Sequence, residues 1–162
     1  MRISLSALSG HTSIDSLMRL AVKFTLGLIE RSSPMSEPLE AILIRDAPDA
    51  ILFADRDGII RLWNRGAEAL LGYSAAEAIG QSLNLIVPES SREAHWAGFS
   101  RAVEQGRFAS DAMLQTSRAL TKDGNTLTVE LSAAIVRDET GAVQGILAIG
   151  RDVTKRSVRR EP

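Results

Sequence analysis

Two polar turn signals, Asp55-Arg56-Asp57-Gly58 and Lys122-Asp123-Gly124-Asn125, constrain this chain more than any other feature, because each joins two stretches of extended character. Ala50 to Ala54 is a short apolar run and Ile59 to Trp63 resumes it after the first turn, which predicts a β-hairpin. Before the second turn, Met113 to Thr121 reads as extended. After it, Leu127, Val129, Leu131, Ala133 and Ile135 alternate with polar neighbours, as a half-buried strand should. Asp138 to Gly141 makes a further turn, and Val143 to Ile149 forms a last apolar strand. Between the hairpins the signals are helical. Asn64 can cap a helix whose Ala67, Leu70 and Leu71 share one face, with Gly72 as its stop. Ser74 and Glu77 stand at capping-box spacing ahead of Gly80. Pro88 introduces a longer helix, with Ser90 and Glu93 at the same spacing and Gly106 as its end. Antiparallel hairpins at both ends with helices gathered between them define an α+β layer, not an alternating doubly wound sheet.

Composition fits that picture and narrows the chemistry. The 162 residues, 44% hydrophobic and 24% charged, suit one ordinary globular domain. A formal net charge of −1 supplies no long-range field for phosphate backbones, so direct nucleic-acid binding is not expected. The tail from residue 156 to 162 adds only a short basic run that, with Lys155, reads as a solvated helix end. The chain has no cysteine, which removes disulfides, thiolate metal sites, thiol nucleophiles and any cysteinyl chromophore bond. Arg19 and Lys23 interrupt the apolar stretches near the N-terminus, where no signal peptide or membrane span is recognisable, so a cytoplasmic protein is expected.

Residues 1 to 35 stand apart from the domain expected over 36 to 155. Thr12 and Asp15 have capping-box spacing, and Leu17, Leu20, Ala21, Phe24 and Leu28 recur at helical intervals, which predicts an amphipathic helix. It could lie on its own domain's sheet or pair with a second copy. Met35 also opens a segment that reads like a natural start, so an over-extended N-terminus is the competing reading of this region.

The ordered set Trp63 and Asn64, Gly72-Tyr73-Ser74, Glu77 with Ile79-Gly80, Pro88, Lys122-Asp123-Gly124 and Gly150-Arg151-Asp152-Val153-Thr154 resembles the PAS domain family over about residues 38 to 155. The resemblance implies the PAS fold: a five-stranded antiparallel sheet whose inner face, with the helices after the second strand, encloses a pocket. It also implies that Asp152 and Thr154 form the exit through which strand movement reaches a following helix. Asp152 simply capping that helix fits the same residues.

The pocket chemistry has to be read residue by residue. The helix bearing His95, with Trp96, Phe99 and Val103 as apolar neighbours, resembles that of haem-binding PAS oxygen sensors, which makes His95 the candidate axial ligand. Met113 matches the distal methionine of the phosphodiesterase sensors and is the second candidate iron ligand. Gln115 falls where those sensors place an arginine, and its amide lacks that residue's charge. Arg101, about 240° round the helix from His95, would reach a propionate only from the rim. Trp63 could stack near a non-covalent flavin, the weaker cofactor option. The plainer readings are a packed Trp63, a core-filling Met113, a His95 that is merely a surface or core residue, and a domain that holds no cofactor.

The functional expectation is therefore a sensory module that binds a small ligand and signals by changing shape, with a ligand-free interaction or dimerisation domain as the alternative. No phosphate loop, nucleophile elbow or metal-ligand cluster is present, so an enzyme is not expected. The sequence ends at Pro162 without an output domain, and the expected partners are a second copy of the chain and a separate histidine kinase or transcription regulator.

Overall fold

Both turn signals close antiparallel hairpins in the computed structural model, which describes residues 37–109 and 114–154. The chain divides into two units, Met1–Glu37 and Pro38–Pro162, and apart from Glu37 everything described lies in the second. The helix expected from Thr12 onward, Met113 and the basic tail lie outside the described residues. Strand β1 (Ala50–Asp55) pairs with β2 (Ile60–Trp63), Leu52 standing opposite Trp63. The Asp55 carboxylate ties the turn by accepting the Asp57 and Ile59 N–H groups, each at 3.0 Å. Beyond the helices come β3 (Gln115–Leu120), β4 (Thr126–Arg137) and β5 (Val143–Asp152), all antiparallel, giving one sheet of order β2-β1-β5-β4-β3. Strand β5 therefore returns to the middle of the sheet, between β1 and β4. The expected α+β class and PAS fold are what the structure shows.

The helices between β2 and β3 carry the caps that the sequence offers. Helix α2 (Arg65–Leu71) follows Asn64, whose Oδ1 accepts the Ala67 N–H at 2.9 Å, and it ends on Gly72 at φ 81°. That left-handed conformation costs glycine nothing. Helix α3 (Ala75–Ala78) starts on Ser74, whose backbone N–H and hydroxyl both donate to Glu77. The longer helix α4 (Arg92–Gln105) ends on Gly106. Its start departs from expectation: Ser90 and Glu93 form no capping box, and the N-cap position, Ser91, makes no side-chain cap bond. A 3₁₀ turn over Glu89–Ser91 runs straight into the helix, with the Ser91 N–H already bonded to the Pro88 carbonyl, so that end is built from backbone.

Helix α1 (Leu39–Asp46), not foreseen from the sequence, precedes β1 and buries none of its residues. Its N-cap, Pro38, offers no side-chain acceptor. It is held from a distance by Asn64, which donates to the Ile44 and Ala47 carbonyls, and by the Arg65–Asp46 ion pair at 2.6 Å. Among the described residues no helix is long and apolar enough to cross a membrane.

Glu77 reaches from α3 to the β3–β4 turn, where the Lys122 ammonium donates to it at 2.5 Å. That ammonium first, and then the Ser74 donors, hold the Glu77 carboxyl down to about 2 from its ordinary 4.5. A depressed carboxylate stabilises the fold above its unfolded value and loses that contribution as pH falls through the folded one, here between about 4.5 and about 2. The pair is exposed, so the effect is small. Glu77→Gln is expected to flatten this acid limb of the stability–pH curve in urea denaturation; an unchanged limb would contradict the assignment.

Candidate functional site

The inward faces of the central strands are lined by small residues. Ala50 and Ala54 on β1 and Ala148 and Gly150 on β5 point the same way as Leu52 and Ile146, as the period of two requires. Opposite them, α4 lies across the sheet and cannot close onto side chains that short. The result is a cavity of about 540 Å³, within the size range of sites for small molecules. Its walls come from β1, β3, β4 and β5, from α2 and α4, and from the Leu83 to Val87 segment, and they are largely aliphatic.

Five polar or charged residues break the apolar lining: Ser91, His95, Gln115, Ser117 and Arg118. His95 stands in the wall on α4. Its ring is stacked with Phe99, centroids 6.1 Å apart, and meets Trp96 edge-on at 5.3 Å. The Nε2 atom is buried and has no hydrogen-bond partner. Such an atom carries a desolvation penalty that an acceptor, a donor or a metal would relieve. Burial also holds the imidazole pKa below its ordinary 6.5, which favours the neutral form, the one that ligates iron. Among the described residues no group of three or more His, Cys, Asp or Glu side chains is placed to hold a bare metal ion. A single partly buried imidazole, its Nε2 turned away from solvent in a mostly apolar cavity, is a donor that could hold a haem iron.

The structure sorts the other candidate residues. Phe99 lines the cavity beside His95, and Gln115, on the inner face of β3 opposite Leu131, lines its exposed edge. Arg101 is exposed and takes no part in the lining. Trp63 also lies outside the lining: its ring is buried, 5% exposed, and its Nε1–H donates to the Tyr73 carbonyl at 3.0 Å, so it packs the core between β2 and α3. Ser117 was legible two residues beyond Gln115 on the same strand face, and Ser91 was hidden by the expected cap at Ser90.

The exit motif is a closed set of bonds. The Thr154 N–H and hydroxyl both donate to Asp152 Oδ1, at 2.8 and 2.5 Å. The same hydroxyl accepts the Thr128 N–H at 3.0 Å, and the Val153 N–H donates to the Thr128 carbonyl at 2.9 Å. Thr128 adjoins Val129, a cavity residue. On the other side Arg151 pairs with Asp49 at 2.7 Å, and Asp49 adjoins Ala50, also in the cavity wall. Asp152 thus bonds the residue two ahead, while the threonine ties the end of β5 to β4.

A five-stranded antiparallel sheet with an apolar cavity against its inner face, and its last strand leaving from the middle of the sheet, defines an α+β domain of the PAS kind. The family model described as "PAS fold" matches residues 40–153, and the chain belongs to the PAS family. It is 34% identical over 117 residues to a protein named sensor protein FixL from Bradyrhizobium diazoefficiens, covering 70% of this chain and 22% of that one. It is 29% identical over 133 residues to a phytochrome of Pinus sylvestris, covering 82% of this chain and 12% of that one. The chain thus spans about a fifth or less of the length of these curated relatives. Among solved structures, the PAS domain of a Colwellia psychrerythraea protein superposes with a TM-score of 0.62 at 33% identity, over 73% of this chain and 97% of that one. A sensory or signalling role of the PAS kind follows from these matches.

Proposed function

We propose that this domain senses through a haem held by His95 in the 540 Å³ cavity, and passes its occupancy to a partner protein through the Asp152–Thr154 exit. The observation that carries the reading is the buried, unpartnered Nε2 of His95 in an aliphatic wall. A haem supplies an iron centre that binds diatomic gases or changes redox state. The chain's own residues do the rest. His95 offers a neutral nitrogen, Phe99 and the aliphatic residues exclude water, and Gln115 places an amide at the cavity edge, able to donate a hydrogen bond. No covalent step is assigned to the domain, which works by biasing an existing equilibrium between conformations or assemblies. Self-association and a separate kinase or transcription regulator are the partners that suit such a module, and the match to a protein named as a sensor supports that direction.

Hemin titration of the full chain tests this. The native protein is expected to develop a Soret band at one equivalent, and His95→Ala to bind at least about tenfold more weakly, a loss of about 1.4 kcal/mol or more, or to show a shifted band. A native protein that takes up no hemin, or a band indifferent to His95, would end the haem reading and leave the ligand-free interaction domain in its place.

A further inference from the structure

His95 is aimed by its neighbour rather than by a hydrogen bond of its own. Nε2 has no partner to fix the imidazole plane, and two rings pack against the imidazole: Phe99 stacked with it and Trp96 edge-on. Phe99 belongs to the cavity wall, whereas Trp96 is anchored outside it. The Trp96 Nε1–H donates to the Asn84 Oδ1 at 2.9 Å. Asn84 is in turn fixed from both sides of its backbone: its N–H donates to the Ser82 hydroxyl at 3.2 Å and its carbonyl accepts Arg92 Nη2 at 3.2 Å. Arg92 also bonds the Val87 carbonyl at 3.3 Å, so the first turn of α4 is tied to the same segment.

The far edge of the indole meets the β1–β2 turn. A Cβ built at Gly58 would overlap the six-membered ring of Trp96, so the ring lies directly against the backbone there. The Gly58 carbonyl accepts the Leu83 N–H at 3.0 Å, and the Ile60 N–H donates to the Gln81 carbonyl at 2.9 Å, which joins the turn to the segment that carries Asn84. Trp96 is therefore clamped between a side-chain acceptor and a glycine backbone, and its ring meets Phe99 edge-on, centroids 5.5 Å apart, as well as His95.

The geometry assigns Trp96 and Asn84 as positioning residues that set the orientation of the His95 imidazole in the cavity. This assignment rests on the reading of His95 as the ligand-holding residue. A ligand that tilts the imidazole has to move the indole, and the indole can yield only by breaking its bond to Asn84 or displacing the Gly58 turn. Supports of this kind around a ligating histidine change affinity by about 10–100-fold when removed.

The test compares Asn84→Leu, which removes the acceptor, with Asn84→Asp, which keeps an oxygen there, and with Trp63→Phe, which deletes an equivalent indole bond away from the cavity. Two readouts are taken on the full chain: the side-chain ¹⁵N signals of His95 without hemin, and the rate of hemin release. The native protein and N84D are expected to show one sharp set of His95 signals. N84L is expected to show broadened or multiple sets and about tenfold faster hemin release. W63F is expected to lose stability while leaving the His95 signals in place. Unchanged His95 signals in N84L, equal behaviour of N84L and N84D, or an equal disturbance from W63F would overturn the assignment. A native protein that binds no hemin would defeat the haem reading alone, since the His95 signals still decide whether Trp96 and Asn84 orient the ring.

Discussion

Replacing Asn64 with alanine is expected to lower the stability of the domain by about 3 kcal/mol, among the largest single-site losses available outside the hydrophobic core. Asn64 is the polar residue of the core, 3% exposed, and it bonds in every direction it can. Its Oδ1 accepts the Ile51 N–H at 2.8 Å and the Ala67 N–H at 2.9 Å, which ties β1 to the first turn of α2. Its Nδ2 faces the carbonyls of Ile44, Ala47 and Asp49 at 3.0 to 3.2 Å, which fixes the end of α1 and the chain leading into β1. Alanine strands two donors and three acceptors at a junction that is at least partly buried, and an unmade buried hydrogen bond costs more than a made one contributes. Asn64→Asp is expected to be no better than alanine, because it keeps the acceptor for Ile51 and Ala67 but turns a second oxygen toward three carbonyls. Urea denaturation of both variants checks this. An aspartate variant as stable as the native protein would show that the Nδ2 bonds do not hold α1.

Gly145→Ala is expected to cost about as much, about 3 kcal/mol or more, by a different route. Gly145 stands on β5 between its neighbours, opposite Asp55 on β1 and Val136 on β4. A Cβ there would overlap the Ala54 carbonyl oxygen and lie 2.8 Å from both Asp55 Cα and Phe53 Cε2. Its φ of 156° is one that side chains other than hydrogen rarely adopt. The sheet can admit the methyl group only by parting β1 from β5, the two strands that supply the small residues of the cavity wall. Gly150→Ala on the same strand is the control. Its Cβ would meet Leu131 Cβ at 3.4 Å, an ordinary contact, and the change is expected to stay within about 1 kcal/mol while taking a little volume from the cavity. Equal denaturation midpoints for the two variants would contradict this account of the central strands.

Much of this was legible in the chain because the relevant signals are local. The turn at Asp55 to Gly58, the cap at Asn64, and the stops at Gly72 and Gly106 each depend on residues within one or two turns of each other, and each stands where it was expected. What was missed depends on distance. Helix α1 has no capping side chain, and the amide that holds it lies on the far side of β1 and β2, so nothing in Leu39 to Asp46 announces it. The expected cap at Ser90 gave way to a 3₁₀ turn, which uses backbone donors that no side-chain pattern reveals. Strands β4 and β5 run longer than their alternation indicated because each is paired on both sides. The cavity follows a similar division. His95, Phe99 and Gln115 could be nominated from helix and strand periodicity, whereas the space between them depends on how closely α4 approaches the alanines and glycine of β1 and β5. Trp63 points inward as its strand predicts, yet its bond to Tyr73 turns the ring into the core instead of the cavity.

The account's central claim is that occupancy at His95 is felt at the exit of β5, and amide hydrogen exchange with and without hemin tests it most directly. Two amides report on the exit: Val153, bonded to the Thr128 carbonyl, and Thr128, bonded to the Thr154 hydroxyl. Hemin is expected to change the exchange of both in the native chain, together with the amides of α4 around His95, and to change neither in His95→Ala. Hemin binding that depends on His95 but leaves Thr128 and Val153 exchanging at their original rates would contradict the claim, since the ligand would then be held without a signal leaving the domain.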